Sequence, residues 1–327
     1  MKNHLIKSLA VEALLFAAPQ LFGQSQPVEL QAKVSVPFRF VAYGDTRFTN
    51  PSGTKASNPQ VRQALVQAID AVHPAFVSIG GDIAYNGNDP NDWKTWDEET
   101  SAWRQHNIAV YPALGNHDLH GNLKVALANY FQRFPDLHES RYYSVRAANT
   151  LLLVLDSSLD EVSGPQGKWL TGKLDHIPAD VEFIFLVMHH PPYTSSSDSK
   201  MYGGGHSSRS PEQELAKTLE ARQQRTAASI VVIAGHVHNY ERHEHGGVIY
   251  FVTGGGGAHA YPIERAPDDL YRDNRINYHY LLAEVDRGKL KITMNRLELT
   301  EGKAAWTQPD SVTLTAPAAA KTKAAAH

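Results

Sequence analysis

Five short segments of this 327-residue chain place carboxylate, amide or imidazole side chains directly after apolar runs: GDTR at 44–47, GGDIAY at 80–85, GNHD at 115–118, MHH at 188–190 and GHVH at 235–238. Oxygen and nitrogen donors of these kinds hold multivalent cations, and a sheet that ends several strands at one edge gathers such donors around one point. Two cations about 3.5–4 Å apart clamp a phosphoryl group and acidify a bound water, which supplies a nucleophile near neutral pH. Such a pair needs a shared carboxylate, and Asp82 is the best candidate because Gly80 and Gly81 let the backbone turn sharply before it. Asp45 would serve one cation and Asn116, a neutral donor, the other. His236 and His238 share a face if that segment is a strand, but reach separate cations if it is a loop. His189 completes the donors, and imidazole suits iron or zinc better than magnesium or calcium. With no cysteine in the chain, thiolate ligands and disulfides are excluded.

The elements that position these segments follow from hydrophobic periodicity. A strand is expected at 38–43 and another at 75–79, with a helix at about 60–72 between them. Asn58 suits its N-cap, Pro59 its first position, and Val61, Leu65, Ala68, Ile69 and Val72 form its apolar stripe. Strand, helix, strand is a parallel crossover. A second helix should run through Trp93, Trp96 and Trp103, as packing in preference to a substrate platform. Further strands are expected at 108–114, 150–155, 183–187 and 230–234, with helices at 125–134 and from a capping box at Ser210, Pro211 and Gln213. Beyond residue 238, runs at 248–253, 280–285, 289–297 and 311–314 read as antiparallel strands. The expected fold class is therefore α/β (α+β): a two-sheet β-sandwich flanked by helices in four layers.

A net charge of −3 argues against global attraction to nucleic acid or acidic membranes, so anion binding must come from the site. Residues 1–23 begin with Lys2 and Lys7, continue through an apolar stretch and read as a signal peptide. A secreted or periplasmic protein with no membrane attachment after cleavage is the expectation; an uncleaved anchor is the competing reading. Residues 24–36 read as a linker, 37–315 as one catalytic domain, and 316–327, rich in Ala and Lys, as a disordered tail.

Together the five segments resemble the calcineurin-like metallophosphoesterase superfamily, and their details resemble the purple acid phosphatases within it. Most of the superfamily begins with Asp-X-His, but Arg47 stands in that histidine's place here. In purple acid phosphatases a tyrosine three residues after the bridging aspartate replaces the lost ligand, as Tyr85 follows Asp82. The resemblance, which covers about residues 37–296 and also rests on GHVHNYER and VMHHPPY, implies a ferric ion among Asp45, Asp82, Tyr85 and His238. It implies a second, divalent ion of iron, zinc or manganese among Asp82, Asn116, His189 and His236. It implies a small phosphoester as the partner, His117 as general acid or phosphate stabiliser, and a preference for acid pH.

Asp118 is a candidate to orient His117, or else a turn residue bonding its own backbone. His206, in the Gly/Ser-rich loop 195–209, is a candidate phosphate contact by the same resemblance. Arg47 is read as a solvated loop arginine in preference to a phosphate contact. His190, adjacent to His189 on an extended chain, is expected to point elsewhere in a structural role. The glycines at 254–257 lack a following Lys-Ser or Lys-Thr, so they are not a P-loop; close backbone approach near the site, with His259 and Tyr261 at its rim, is expected. A phosphodiesterase or nucleotidase of the same fold is the first alternative. A noncatalytic metal-dependent binding protein is the second.

Overall fold

The computed structural model describes residues 27–160, 162–197 and 206–316. The expected signal segment and the tail beyond residue 316 lie outside them. Ala316 still belongs to the fold, its N–H donating to the Gly288 carbonyl at 2.9 Å. Among the described residues no helix is long and apolar enough to cross a membrane.

The first half of the chain runs β1 (Glu29–Ala32), β2 (Phe38–Tyr43), α1 (Pro59–Ala71), β3 (Phe76–Ile79), α2 (Pro90–Glu99), α3 (Ser101–Gln105), β4 (Ala109–Pro112), α4 (Leu123–Arg133), β5 (Tyr143–Ala147) and β6 (Thr150–Val154). There follow α5 (Pro165–Asp175), β7 (Phe183–Met188), α6 (Ser210–Gln223), β8 (Ser229–Ala234), β9 (Tyr240–His245), β10 (Val248–Thr253), β11 (Tyr278–Asp286), β12 (Lys289–Thr300), β13 (Lys303–Thr307) and β14 (Ser311–Thr315). One sheet has the order β1-β5-β6-β7-β8-β10-β9 and the other β13-β12-β11-β2-β3-β4, with β14 also on β12. The strands that lead into the chemistry, β2-β3-β4 and β6-β7-β8, pair in parallel. Antiparallel strands complete both sheets.

Period-two alternation explains the layering. In β7, Phe183, Phe185 and Val187 face the core between the sheets, while Ile184, Leu186 and Met188 pack in a second cluster with Leu170 and Leu174 of α5 and Leu215 and Leu219 of α6. Phe40 of β2 meets Phe185 edge-on at 5.0 Å between ring centres, which joins the two sheets. On the other side α1 packs against β11 and β12. Two mixed sheets flanked by helices, as expected, are the result.

Three local expectations are corrected. The supposed linker contains β1, which pairs in parallel with β5 from Glu29↔Ser144 to Ala32↔Ala147. The tryptophan helix is two helices, because the chain leaves helical geometry at Thr100; all three indoles are buried as packing, with Trp93 Nε1 donating to the Gly87 carbonyl and Trp103 Nε1 to that of Val66. Helix α6 has Arg209 at its N-cap with no side-chain capping bond, so Ser210 opens the helix and caps nothing. Helix α1 does start as expected, with the Asn58 side chain accepting from the Val61 N–H and Pro59 in the first turn.

Arg62 of α1 braces the loop that follows β2. It is fully buried, donates to both Glu99 carboxylate oxygens at 2.8 and 2.6 Å and to Ser57 Oγ at 2.7 Å, and lies over the Phe48 ring. Replacing it with alanine leaves Glu99 without its counter-charge and is expected to cost about 3–5 kcal/mol, read as a lowered denaturant midpoint. A variant as stable as the parent would show that the pair does not hold this loop.

Candidate metal centre

All five segments meet at the carboxyl ends of parallel strands. Asp45 follows β2, Asp82 follows β3, Asn116 follows β4, His189 follows β7 and His236 follows β8. Backbone bonds lock the loops to one another: Asp45 N–H to Gly81 O at 3.0 Å, Arg47 N–H to Asp82 O at 2.9 Å, and Gly235 N–H to His189 O at 3.0 Å. Asp45, Arg47, Asp82 and His236 all sit at positive φ, between 44° and 72°, a strained backbone for non-glycine residues that concentrates at functional sites. Gly235 is required by crowding, since a Cβ there would stand 2.5 Å from Asp45 Oδ2 and 2.7 Å from the Gly80 carbonyl oxygen. The run at 254–257 makes the expected close approach, with Gly256 N–H bonded to Gly44 O and Ala258 N–H to Asp45 O.

The donor atoms fall into two overlapping groups. Asp45, Asp82 and His238 bring ligand atoms within 4.8 Å of one another, all three residues being buried. His238 Nδ1 donates to the His259 carbonyl at 2.8 Å, which leaves Nε2 as a bare lone pair. That Nε2 and Asp45 Oδ1, 3.5 Å apart, are both buried without a hydrogen-bond partner. The other Asp45 oxygen accepts the His236 N–H at 2.8 Å.

In the second group His189 Nδ1 donates to the Gly80 carbonyl at 2.9 Å, so its Nε2 is again a lone pair. It faces Asn116 Oδ1 at 2.9 Å, Asp82 Oδ1 at 3.4 Å and His236 Nδ1 at 3.2 Å. Burial pushes the His189 pKa down and that of His238 well down, which favours the neutral form of both imidazoles. Lone pairs and carboxylate oxygens pointed at one another in a buried site repel unless a cation lies among them, and these residues fit a pair of cations on that ground. The Asp45 carboxyl says the same: burial and the Asp82 charge push its pKa up. Burial also acts to raise the Asp82 pKa, but His189 and Arg47 outweigh it and hold that carboxyl ionised.

Tyr85 and Arg47 depart from expectation together. The Tyr85 ring is 41% exposed and stacks on His117 at 5.3 Å, and no hydrogen bond of Asp45, Asp82 or His238 runs to its hydroxyl. Arg47 is not a solvated loop residue. Its side chain is only 14% exposed and its Nε and Nη2 donate to Asp82 Oδ2 at 3.2 and 3.1 Å. The left-handed backbone at residue 47 turns the guanidinium inward onto the aspartate.

His117 stands beside the donors, its N–H bonded to Asp82 Oδ1 at 2.8 Å and its Nδ1 to the Tyr85 carbonyl at 2.6 Å. Burial pushes its pKa down to about 4. Asp118 does not orient it. Its Oδ1 accepts the Ile83 and Ala84 N–H groups and its Oδ2 that of Gly115, so three backbone donors consume the carboxylate and clamp the loop after β3 to the loop after β4. Burial and the Asp82 charge nevertheless push the Asp118 pKa up to about 8.

The structure brings His206 to this site, its ring 4.9 Å from that of His236 and 5.8 Å from that of His238, although residues 198–205 before it lie outside the described residues. His190 points inward as well, because the chain bends directly after β7. Its ring lies 4.4 Å from that of His236, and its Nδ1 pairs with Ser157 Oγ at 2.7 Å. Sequence reasoning missed His120, whose ring is 4.2 Å from that of His117; its place four residues after Asn116 was the available signal.

The calcineurin-like phosphoesterase family model matches residues 38–240. Purple acid phosphatase 1 of Ipomoea batatas is 25% identical over 228 residues, covering 64% of this chain and 44% of that protein. The Fe(3+)-Zn(2+) purple acid phosphatase 12 of Arabidopsis thaliana is 25% identical over 231 residues, with coverage of 64% and 44%. The match therefore spans less than half the length of these relatives. Purple acid phosphatase PPD1 from Lupinus luteus seeds superposes with a TM-score of 0.65 at 19% identity, covering 86% of this chain and 54% of that one. GAP50, the anchor in the inner membrane complex of Plasmodium, gives 0.57 at 16% identity, covering 86% and 89%. At such identities these two structures speak for the fold alone. The extent of the family match decides the assignment: the chain belongs to the calcineurin-like phosphoesterase family.

Proposed function

We propose that this protein is a secreted or periplasmic hydrolase of phosphoric monoesters that works with two cations, in the manner its resemblance to purple acid phosphatases suggests. The observation that carries the reading is the pair of facing, unpartnered atoms Asp45 Oδ1 and His238 Nε2 beside the His189 Nε2, Asn116 Oδ1 and Asp82 Oδ1 cluster. The proposed holders are Asp45, Asp82, Tyr85 and His238 for a ferric ion, and Asp82, Asn116, His189 and His236 for divalent iron, zinc or manganese. When bound, such a pair polarises the phosphoryl group and acidifies water. The chain's own residues do the rest. Asp82 holds Arg47 in place at the site, where its guanidinium supplies fixed positive charge. His117, kept in position by Asp82 and the Tyr85 carbonyl, protonates the departing alkoxide or donates to a phosphoryl oxygen from its imidazolium form, which its lowered pKa confines to acid pH. The His206 ring lies beside those of His236 and Tyr261, from where it is proposed to contact the phosphate.

Tyr85 is the proposed ligand that the geometry supports least, and it is the one with a colour test. A phenolate on ferric iron absorbs visible light, so the iron-loaded protein is expected to be purple and Tyr85→Phe colourless with reduced iron content. Colour surviving in the variant, or a colourless parent that still hydrolyses phosphoesters, would remove the ferric tyrosinate from the proposal and leave the two-cation hydrolase. Rates on an aryl phosphate and on its bis-aryl diester separate the monoesterase reading from a diesterase; the monoester is expected to be the faster.

A further inference from the structure

The edge strand β9 carries a second group of ligands that the phosphoesterase site does not use. Alternation along the strand puts Glu241, His243 and His245 on one face. Opposite them, in the connection between β10 and β11, stands Asp268. His243, His245 and Asp268 each bring one ligand atom within 4.8 Å of the other two. Asp268 Oδ2 is 3.0 Å from His245 Nε2 and 3.4 Å from His243 Nδ1. A tetrahedral ion with bonds of about 2.0–2.1 Å sets its ligands about 3.4 Å apart, which is this spacing.

Three observations point to a ligand here. His243 is fully buried, yet its Nδ1 has no hydrogen-bond partner, and it is the nitrogen that faces the Asp268 carboxylate. Its other nitrogen, Nε2, faces Glu241 Oε2 at 3.2 Å. Glu241 is itself buried and held by the Thr194 hydroxyl at 2.7 Å and the Ser195 N–H at 2.5 Å. A carboxylate behind one imidazole nitrogen fixes the proton there and presents the other nitrogen to a metal, the outer-shell arrangement of histidine–zinc sites. The third observation is that His245 is already oriented: Tyr193 stacks on it at 3.9 Å between ring centres and 18° between planes, and the Tyr193 hydroxyl is anchored on Glu220 at 2.7 Å.

We infer that His243, His245 and Asp268 form a third metal site, separate from the phosphoesterase centre, that takes a single zinc-like divalent ion with solvent at its fourth position. Two imidazoles and one carboxylate select zinc over magnesium or calcium. The ion staples β9 to the 254–277 connection, which also carries His259 and Tyr261 at the rim of the active site. Protein contacts join them as well: Leu270 N–H to Arg242 O at 2.7 Å, Arg242 N–H to Asp269 Oδ1 at 3.2 Å, Arg265 Nη1 to Tyr240 O at 2.6 Å and the Tyr240 and Tyr271 rings at 4.9 Å. Burial acts to lower the His243 pKa, but the Glu241 contact and the Asp269 and Asp268 charges outweigh it and raise it.

The test is zinc stoichiometry of the full chain after equilibration with Zn2+ and removal of free ion, in the parent, His245→Ala, Asp268→Asn and Asp82→Asn. Both strand-site positions are partly exposed, so those variants are expected to fold and to keep phosphoesterase turnover. The parent is expected to hold one zinc more than His245→Ala and Asp268→Asn, and Zn2+ to raise the melting temperature of the parent more than that of either. Asp82→Asn is expected to keep this zinc while losing the ions of the phosphoesterase centre, so the strand site stands or falls independently of the proposed catalysis. Equal zinc content in the parent and both strand-site variants would overturn the inference and leave His243 to its contacts with Glu241 and Asp268 alone.

Discussion

Asp82→Asn is expected to lose both catalytic ions and to lower turnover about 10³-fold or more, the consequence of removing several kcal/mol of charge stabilisation at the reacting phosphoryl group. The substitution keeps the shape of the side chain, removes its charge and turns one acceptor oxygen into an N–H donor. Asp82 is the residue on which the site converges: Oδ1 takes the His117 N–H and faces His189 Nε2, while Oδ2 takes the Arg47 guanidinium. Without the carboxylate, Arg47 is left as a poorly solvated cation where cations are to bind, which further weakens metal retention. Metal content and phosphate release, measured on the same preparation, check this. A variant that keeps its metals and its rate would show that Asp82 does not hold the pair.

His117→Ala is expected to separate chemistry from metal binding, with turnover down about 10²–10⁴-fold and metal content unchanged. The separation follows from how the residue is attached. Its bond to Asp82 is made by the backbone N–H, which alanine retains, whereas the imidazole bonds only to the Tyr85 carbonyl and stacks between Tyr85 and His120. Loss of metal in this variant would make His117 a structural support of the centre. Unchanged turnover would pass the role to His120, or remove the need for an acid.

Much of the fold was legible because burial on both faces leaves a plain mark. The FIFLVM and SIVVIA runs of β7 and β8 are apolar at every or nearly every position, and the polar segments after them could only be strand-end loops. Strand β9 left no such mark. Its YERHEH sequence reads as a charged loop until Glu241 meets Thr194 and Ser195 in the loop after β7 and His243 meets Asp268 in the connection to β11. Strand β1 was missed for a related reason: a four-residue edge strand with one buried side chain carries too little periodicity.

At the site, residue identity was more legible than orientation. Spacing and resemblance together brought Asp45, Asp82, Asn116, His189, His236 and His238 to one point, since each follows a strand that is itself recognisable. What a side chain does after the turn depends on backbone dihedrals that spacing does not encode. The positive φ of Arg47 turns it onto Asp82, and the bend after Met188 brings His190 in beside His189. Asp118 is spent on the Gly115 N–H of its own loop and on the Ile83 and Ala84 N–H groups of the loop after β3, and this tertiary pairing leaves no trace in the GNHD motif.

The central claim is that cations at this centre perform phosphomonoester hydrolysis, and the most direct measurement is phosphate release from an aryl phosphate before chelation, after it, and after metal is returned. The account predicts turnover that disappears with the metal and recovers once two ions per chain are restored to the Asp82-dependent centre. Undiminished hydrolysis by the metal-free protein, or a fully loaded protein that releases no phosphate, would contradict it.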